Sequence, residues 1–233
     1  MESKYPNELW FNIGEKDLRF GIAEFAVITG LNFGAELDIL QWKDIRKRSR
    51  LTDLYMSKNQ NPKLVDLEAA FIKCIVKEDV WKLGLCYLVG GLLMSSEANG
   101  ALHDGLLSIV ENEEEFFNYP WGRHAYVKTL SGLRRNLVKY KDKYFAKLSE
   151  KKKSEAVKYR VYGYYVALIY WAFEAIPLLG KEFAEYVGVK TPRMLSWTSS
   201  HVPTSPALSK LLNQKNVSSL KLFINLFDIC FVI

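Results

Sequence analysis

The stretch from Asp79 to Met94 constrains the fold more than any other part of the chain. It carries Val80, Trp81, Leu83, Leu85, Cys86, Tyr87, Leu88, Val89, Leu92 and Leu93, and its few polar residues do not line up as an outer face. A helix that is apolar on most faces belongs inside a core, so the pattern predicts a central helix with others packed around it. Gly84, Gly90 and Gly91 interrupt it. Each costs about 1 kcal/mol relative to alanine in a helix, unless a neighbouring helix packs closely there.

The surrounding helices are read from the same periodicity. Ile22, Phe25, Ala26 and Thr29 fall at i, i+3, i+4 and i+7, with Gly30 in the position that ends a helix. Leu64, Leu67, Phe71 and Ile75 restart the spacing, with Asp66 and Glu68 near the positive end of the dipole. His103–Asn112 and the Glu-rich stretch up to Tyr119 read as short helices stopped by Pro120. From Arg123 a long helix is expected to about Leu148, its stripe formed by Tyr126, Leu130, Leu133, Leu137, Tyr140 and Tyr144. Further helices are expected over Tyr159–Ala175, ended by Pro177, and over Phe183–Val187. Leu40–Pro62 is polar and reads as a loop holding at most a short helix. Leu9–Ile13 and Leu18–Phe20, around Gly14-Glu15-Lys16-Asp17, fit a short hairpin with a four-residue loop.

The expected class is therefore mainly α: a compact multi-helix domain over residues 1–212 with a short N-terminal β-hairpin. Residues 213–233 form an apolar tail that is not expected to belong to it. The chain's 233 residues are 49% hydrophobic and 14% aromatic, which excludes disorder for most of it. Tyr162–Ile176 and Leu220–Ile233 are the longest apolar runs. Both are interrupted by charge and shorter than the ~20 residues that span a bilayer. No apolar segment of the signal-peptide kind opens the chain. Cys74, Cys86 and Cys230 form no CxxC pair, and three free thiols fit a reducing compartment, nucleus or cytoplasm.

The net charge of +6 is concentrated. Lys128–Arg160 holds twelve Lys or Arg against three acids, a local +9, and the remaining 20 basic and 23 acidic residues net −3. Arg134, Arg135, Lys139 and Lys143 share a flank of the expected long helix, and Lys151, Lys152 and Lys153 extend the patch. With Tyr140, Tyr144 and Tyr159 interleaved, this is the texture of a weak, non-specific nucleic-acid binder; a solvated charged face has the same composition. A smaller basic cluster, Lys43, Arg46, Lys47, Arg48 and Arg50, and an acidic run, Glu111 and Glu113–Glu115, lie elsewhere.

No catalytic, metal or cofactor signature emerges. Cys86, His103 and Asp104 offer the residue types of a thiol protease, but Cys86 sits on the most apolar helix, where an inert buried thiol is the simpler reading. The three histidines and three cysteines lack the short spacings of a zinc site. No GxxxxGK[ST] occurs. Expected are no enzyme activity, no metal and no cofactor.

Four ordered segments resemble a known family. Leu9-Trp10-Phe11 with Leu18–Leu31, Tyr119-Pro120-Trp121-Gly122-Arg123, Trp171–Pro177 and Thr191–Trp197 are similar to motifs of a plant domain of unknown function. That domain is often found ahead of a ubiquitin-like-protease domain of the SUMO-protease type in proteins related to Mutator-like transposons. The resemblance, over about Leu9–Trp197, implies a transposon-derived accessory module and supplies no activity or site residues. No His, Asp and Cys set of such a protease follows Trp197, which leaves an accessory domain of a protease whose catalytic domain is absent here as one alternative. Within the motifs, Trp121 and Trp171 read as core anchors and Pro177 as a helix stop. Glu174 is unfavourable at a helix C-terminus and needs a cation, Arg123 or Arg193. The function expected is a non-enzymatic interaction module with a protein partner.

Overall fold

The structure is a computed structural model that describes residues 7–48 apart from 14 and 15, 50–57, 61–94, 100–134 and 162–199, with isolated positions at 59, 207, 210 and 211. The chain divides into two compact units, one of residues 30–128 and one of residues 1–29 with 129–233. The described residues are mainly helical. The expected tail, 213–233, lies outside them.

The N-terminal segment holds β1 (Leu9–Ile13), β2 (Lys16–Phe20) and α1 (Ile22–Thr29). The strands pair antiparallel from Leu9↔Phe20 to Ile13↔Lys16. The connection is thus two residues rather than the expected four, because Lys16 and Asp17 join the ladder. The backbone N–H of Gly21 donates to Glu24 at 2.8 Å, which satisfies a free donor at the start of α1.

In the unit of residues 30–128, α2 (Ile39–Ile45) starts at a reciprocal capping box between Asp38 and Gln41. It is followed by α3 (Arg50–Tyr55), α4 (Leu64–Lys73) and α5 (Lys77–Leu88). A π-helical turn over Val89–Leu93 continues α5. After it come α6 (Leu106–Ile109), α7 (Glu113–Asn118) and α8 (Trp121–Leu133), whose residues to Lys128 belong to this unit. The expected loop at Leu40–Pro62 thus holds two helices. Their caps and ion pairs stabilise them where apolar periodicity is weak.

Gly84 and Gly90 have the close neighbours their cost requires. A Cβ on Gly84 would meet the Phe71 ring at 3.2 Å, and one on Gly90 would meet Leu64 and Leu102 at 3.2 and 3.3 Å. The Phe71 and Tyr87 rings stack at 6.0 Å and carry the α4–α5 contact. Yet α5 is not enclosed, against expectation. Asp79, Lys82, Leu83 and Cys86 are buried, while Trp81 and Leu88 are about half exposed.

The other unit continues with the end of α8, α9 (Val166–Ala175) and α10 (Pro177–Phe183). The two-residue strands β3 (Glu185–Tyr186) and β4 (Trp197–Thr198) pair antiparallel, and a 3-10 turn, Arg193–Ser196, precedes β4. Two expectations fail here. The helix expected from Tyr159 starts only at Val166: Gly163 has φ +85°, and Tyr164 N–H donates to the Thr129 hydroxyl at 2.7 Å. The helix expected over Phe183–Val187 does not form, since α10 ends at Phe183. Pro177 occupies the first helical position of α10, where its missing N–H costs nothing, so the helix lies earlier and Glu185–Tyr186 is free to pair as a strand. The core of this unit is aromatic. Trp171 lies 5.4 Å from Phe11 and 5.3 Å from Phe20, ring to ring.

Candidate interaction surface

Residues with chemical potential in the unit of residues 30–128 are largely engaged with one another. Trp121 is buried, and its Nε1 donates to the Phe116 carbonyl at 2.8 Å. Beside it, His103 Nε2 and His124 Nδ1 are 3.3 Å apart, and His124 Nε2 lies 3.0 Å from the Tyr119 hydroxyl and 3.1 Å from Glu36 Oε2. Burial, first, and the neighbouring His124 push the His103 pKa down to about 4. The Trp121 and Tyr119 rings lie 5.3 and 5.6 Å from the His103 ring, while His124 stays partly exposed beside Glu36.

Two residues of the smaller basic cluster, Arg48 and Arg50, pair with two of the acidic run, Glu115 and Glu111, far off in sequence. Arg48 grips Glu115 through two hydrogen bonds of 2.6 and 2.9 Å. Arg50 binds Asp79 at 2.6 and 3.1 Å and Glu111 at 3.2 Å, and the Tyr55 hydroxyl donates to Asp79 at 2.7 Å. The Arg50 guanidinium holds the nearly buried Asp79 carboxyl below the usual carboxylate range. Lys82, also buried, reaches Glu78 at 2.8 Å. Cys86 is fully buried, and burial pushes its thiol pKa far up, so it carries no thiolate chemistry. Among the described residues no group of three or more His, Cys, Asp or Glu is placed to hold a metal ion, and no helix is long and apolar enough to cross a membrane.

In the other unit the later motifs converge on Glu174. Arg193 Nη2 donates to Oε2 at 2.7 Å, and Trp197 Nε1 donates to Oε1 at 2.6 Å. Of the two candidate cations, Arg193 is therefore the partner; Arg123 donates to the Phe33 carbonyl at 3.3 Å. An open depression of about 460 Å³ beside Glu174 is lined by Phe173, Pro177, Lys181, Tyr186 and Trp197. Its carboxylate is already paired on both oxygens, so the depression offers an apolar wall rather than a reactive group. Of the nucleic-acid candidates, Arg134 donates to the Glu8 carbonyl at 2.6 Å. Arg135, Lys139, Lys143, Lys151, Lys152 and Lys153 lie outside the described residues.

The outer face of α5 has a different character. Trp81 is 52% exposed, Leu88 49% and Leu92 48%, with Leu85 half-buried between them. Their steps of four, three and four residues place all four along one stripe, about 16 Å long at 1.5 Å per residue. The segment before α5 exposes two further apolar residues, Ile75 at 95% and Val76 at 51%. Between Trp81 and Leu92 the only charged residue is Lys82, which points into the unit. Sequence periodicity could not separate this stripe from the core, because both faces of α5 are apolar.

Residues 1–132 match the model of a family described as a domain of unknown function (DUF1985). No characterised protein and no solved structure matches the chain. The α5 stripe and Trp121 lie within the matched residues, whereas Glu174, Pro177 and Arg193 lie beyond them.

Proposed function

The chain belongs to the domain-of-unknown-function family DUF1985, and we propose that it is a non-enzymatic protein-interaction module that takes a partner helix along α5. The observation that carries this reading is the uncovered stripe of Trp81, Leu85, Leu88 and Leu92. An apolar seam with steps of four and three is what a partner helix with the same repeat fits, side chain between side chains. Three observations support a non-catalytic role. Cys86 is buried, burial holds the His103 ring neutral, and Asp79, Glu111 and Glu174 are each bonded to cations. A transposon-derived origin and an intracellular setting belong to the same reading; they rest on the four motifs and the unpaired cysteine pattern.

The test is fluorescence anisotropy with a fluorescein-labelled amphipathic helical peptide carrying leucine at every a and d position. Binding to the wild-type chain and its loss in Leu88→Glu are expected. A monomeric wild type that ignores the peptide, or a variant that binds it equally well, refutes the docking site.

A further inference from the structure

We infer that the helix which covers the α5 stripe is α5 of a second copy of this chain, paired antiparallel about a two-fold axis. The inference rests on the reading of α5 as a docking face and adds the identity of its partner.

Self-pairing follows first from the spacing. The steps between Trp81, Leu85, Leu88 and Leu92 read four, three, four in either direction. An antiparallel copy therefore presents the same pattern in register, with Trp81 opposite Leu92 and Leu85 opposite Leu88. A two-fold interface demands this self-complementarity and closes at two copies, leaving no open edge to extend a filament. The π-helical turn over Val89–Leu93 contributes. It keeps Leu92 within about a tenth of a turn of Leu88.

Charge favours the same arrangement. Flanking charges select a particular foreign partner in coiled coils, and the seam from Trp81 to Leu92 has none exposed, since Lys82 is buried and bonded to Glu78. A parallel pair would set Trp81 against Trp81, Lys77 against Lys77 and Glu78 against Glu78. The antiparallel pair separates all three and carries Lys77 beyond the C-terminal end of the partner's helix, where free carbonyls favour a cation.

Area agrees as well. The exposed parts of Trp81, Leu88 and Leu92 sum to on the order of 300 Å², within the range of the largest apolar patch on an ordinary monomer. Each partner in a standard interface gives about 800 Å², and in homodimers about 65% of that is apolar. The stripe supplies more than half of that share at the centre of the interface.

Sedimentation equilibrium of the full chain tests the inference. A mass twice the 26.9 kDa of one chain is expected, falling to the single-chain mass in Leu88→Glu and in Leu85→Lys with the melting temperature of the dilute protein retained. Mixing these two variants should restore the dimer, because antiparallel pairing sets position 85 against position 88 and a parallel pair does not. A monomeric wild type, a dimer that persists in Leu88→Glu, or a mixture that stays monomeric overturns the inference. A monomeric chain that still binds the leucine-striped peptide would overturn self-pairing alone and leave the docking function standing. A chain that does neither would sink both.

Discussion

Truncating two tryptophans to alanine should give unequal outcomes, and the contrast separates core from surface in this chain. Trp171 is only 5% exposed and packs on the rings of Phe11 and Phe20 at 5.4 and 5.3 Å. Trp171→Ala removes the whole indole from between two fixed rings, so a cavity remains. Buried Trp-to-Ala changes cost about 3–5 kcal/mol. A chain of this length loses roughly 2–4 °C of melting temperature per kcal/mol, so a drop of roughly 6–20 °C is expected. Trp81 is 52% exposed and leaves no enclosed void when truncated. Its loss removes only the buried half of the indole and should cost about 1–2 kcal/mol, roughly 2–8 °C by the same conversion. Circular dichroism melts of both variants at dilute protein, where pairing of copies adds nothing, provide the comparison. If Trp171→Ala melts within 3 °C of wild type, or Trp81→Ala falls as far as Trp171→Ala does, the assignment of core and surface is wrong.

Two further outcomes follow from the unit of residues 30–128. The folded Asp79 carboxyl titrates below its usual value of 3.8, so its stabilising contribution is complete above about pH 4 and is lost as pH falls through the lower folded value. Asp79→Asn should therefore lower stability at pH 7 by about 2 kcal/mol, the worth of a charge-assisted hydrogen bond, and by less at pH 3; urea melts with equal loss at both pH values would contradict the pairing with Arg50. Gly122→Ala would bring a Cβ to 2.8 Å from the Asn32 carbonyl oxygen, with the Phe33 ring also in contact. A destabilisation of about 1–3 kcal/mol is expected, and an unchanged melting curve would show that the backbone is not held there.

The helical class was legible because α1, α4, α5 and α8 each carry a 3.6-residue repeat, and the hairpin because its strands are aromatic and its turn polar. The loop around Leu40–Pro62 hid two helices since α2 depends on the Asp38–Gln41 box and α3 on Arg50, whose partner Asp79 is distant in sequence. Pro177 marked a boundary correctly, but a proline that ends one helix can also begin the next. The candidate surface was the least legible part. Trp81 and Leu88 look the same in sequence as Leu83 and Cys86, and only the placement of α4 and α6 decides which are covered. Glu174 announced that it needed a cation, while the choice of Arg193 over Arg123 required the fold.

Whether the α5 face becomes covered as copies of the chain meet can be read directly by labelling. Leu88→Cys places a thiol at the middle of the stripe, and its alkylation by a maleimide can be followed by peptide mass spectrometry from dilute to concentrated protein. Buried Cys86 provides an unlabelled reference two residues away, and half-buried Cys74 a second reference off the stripe. The account predicts fast labelling at position 88 in dilute protein, slowing as concentration rises while Cys74 keeps its rate. A labelling rate at position 88 that does not change with concentration would contradict it.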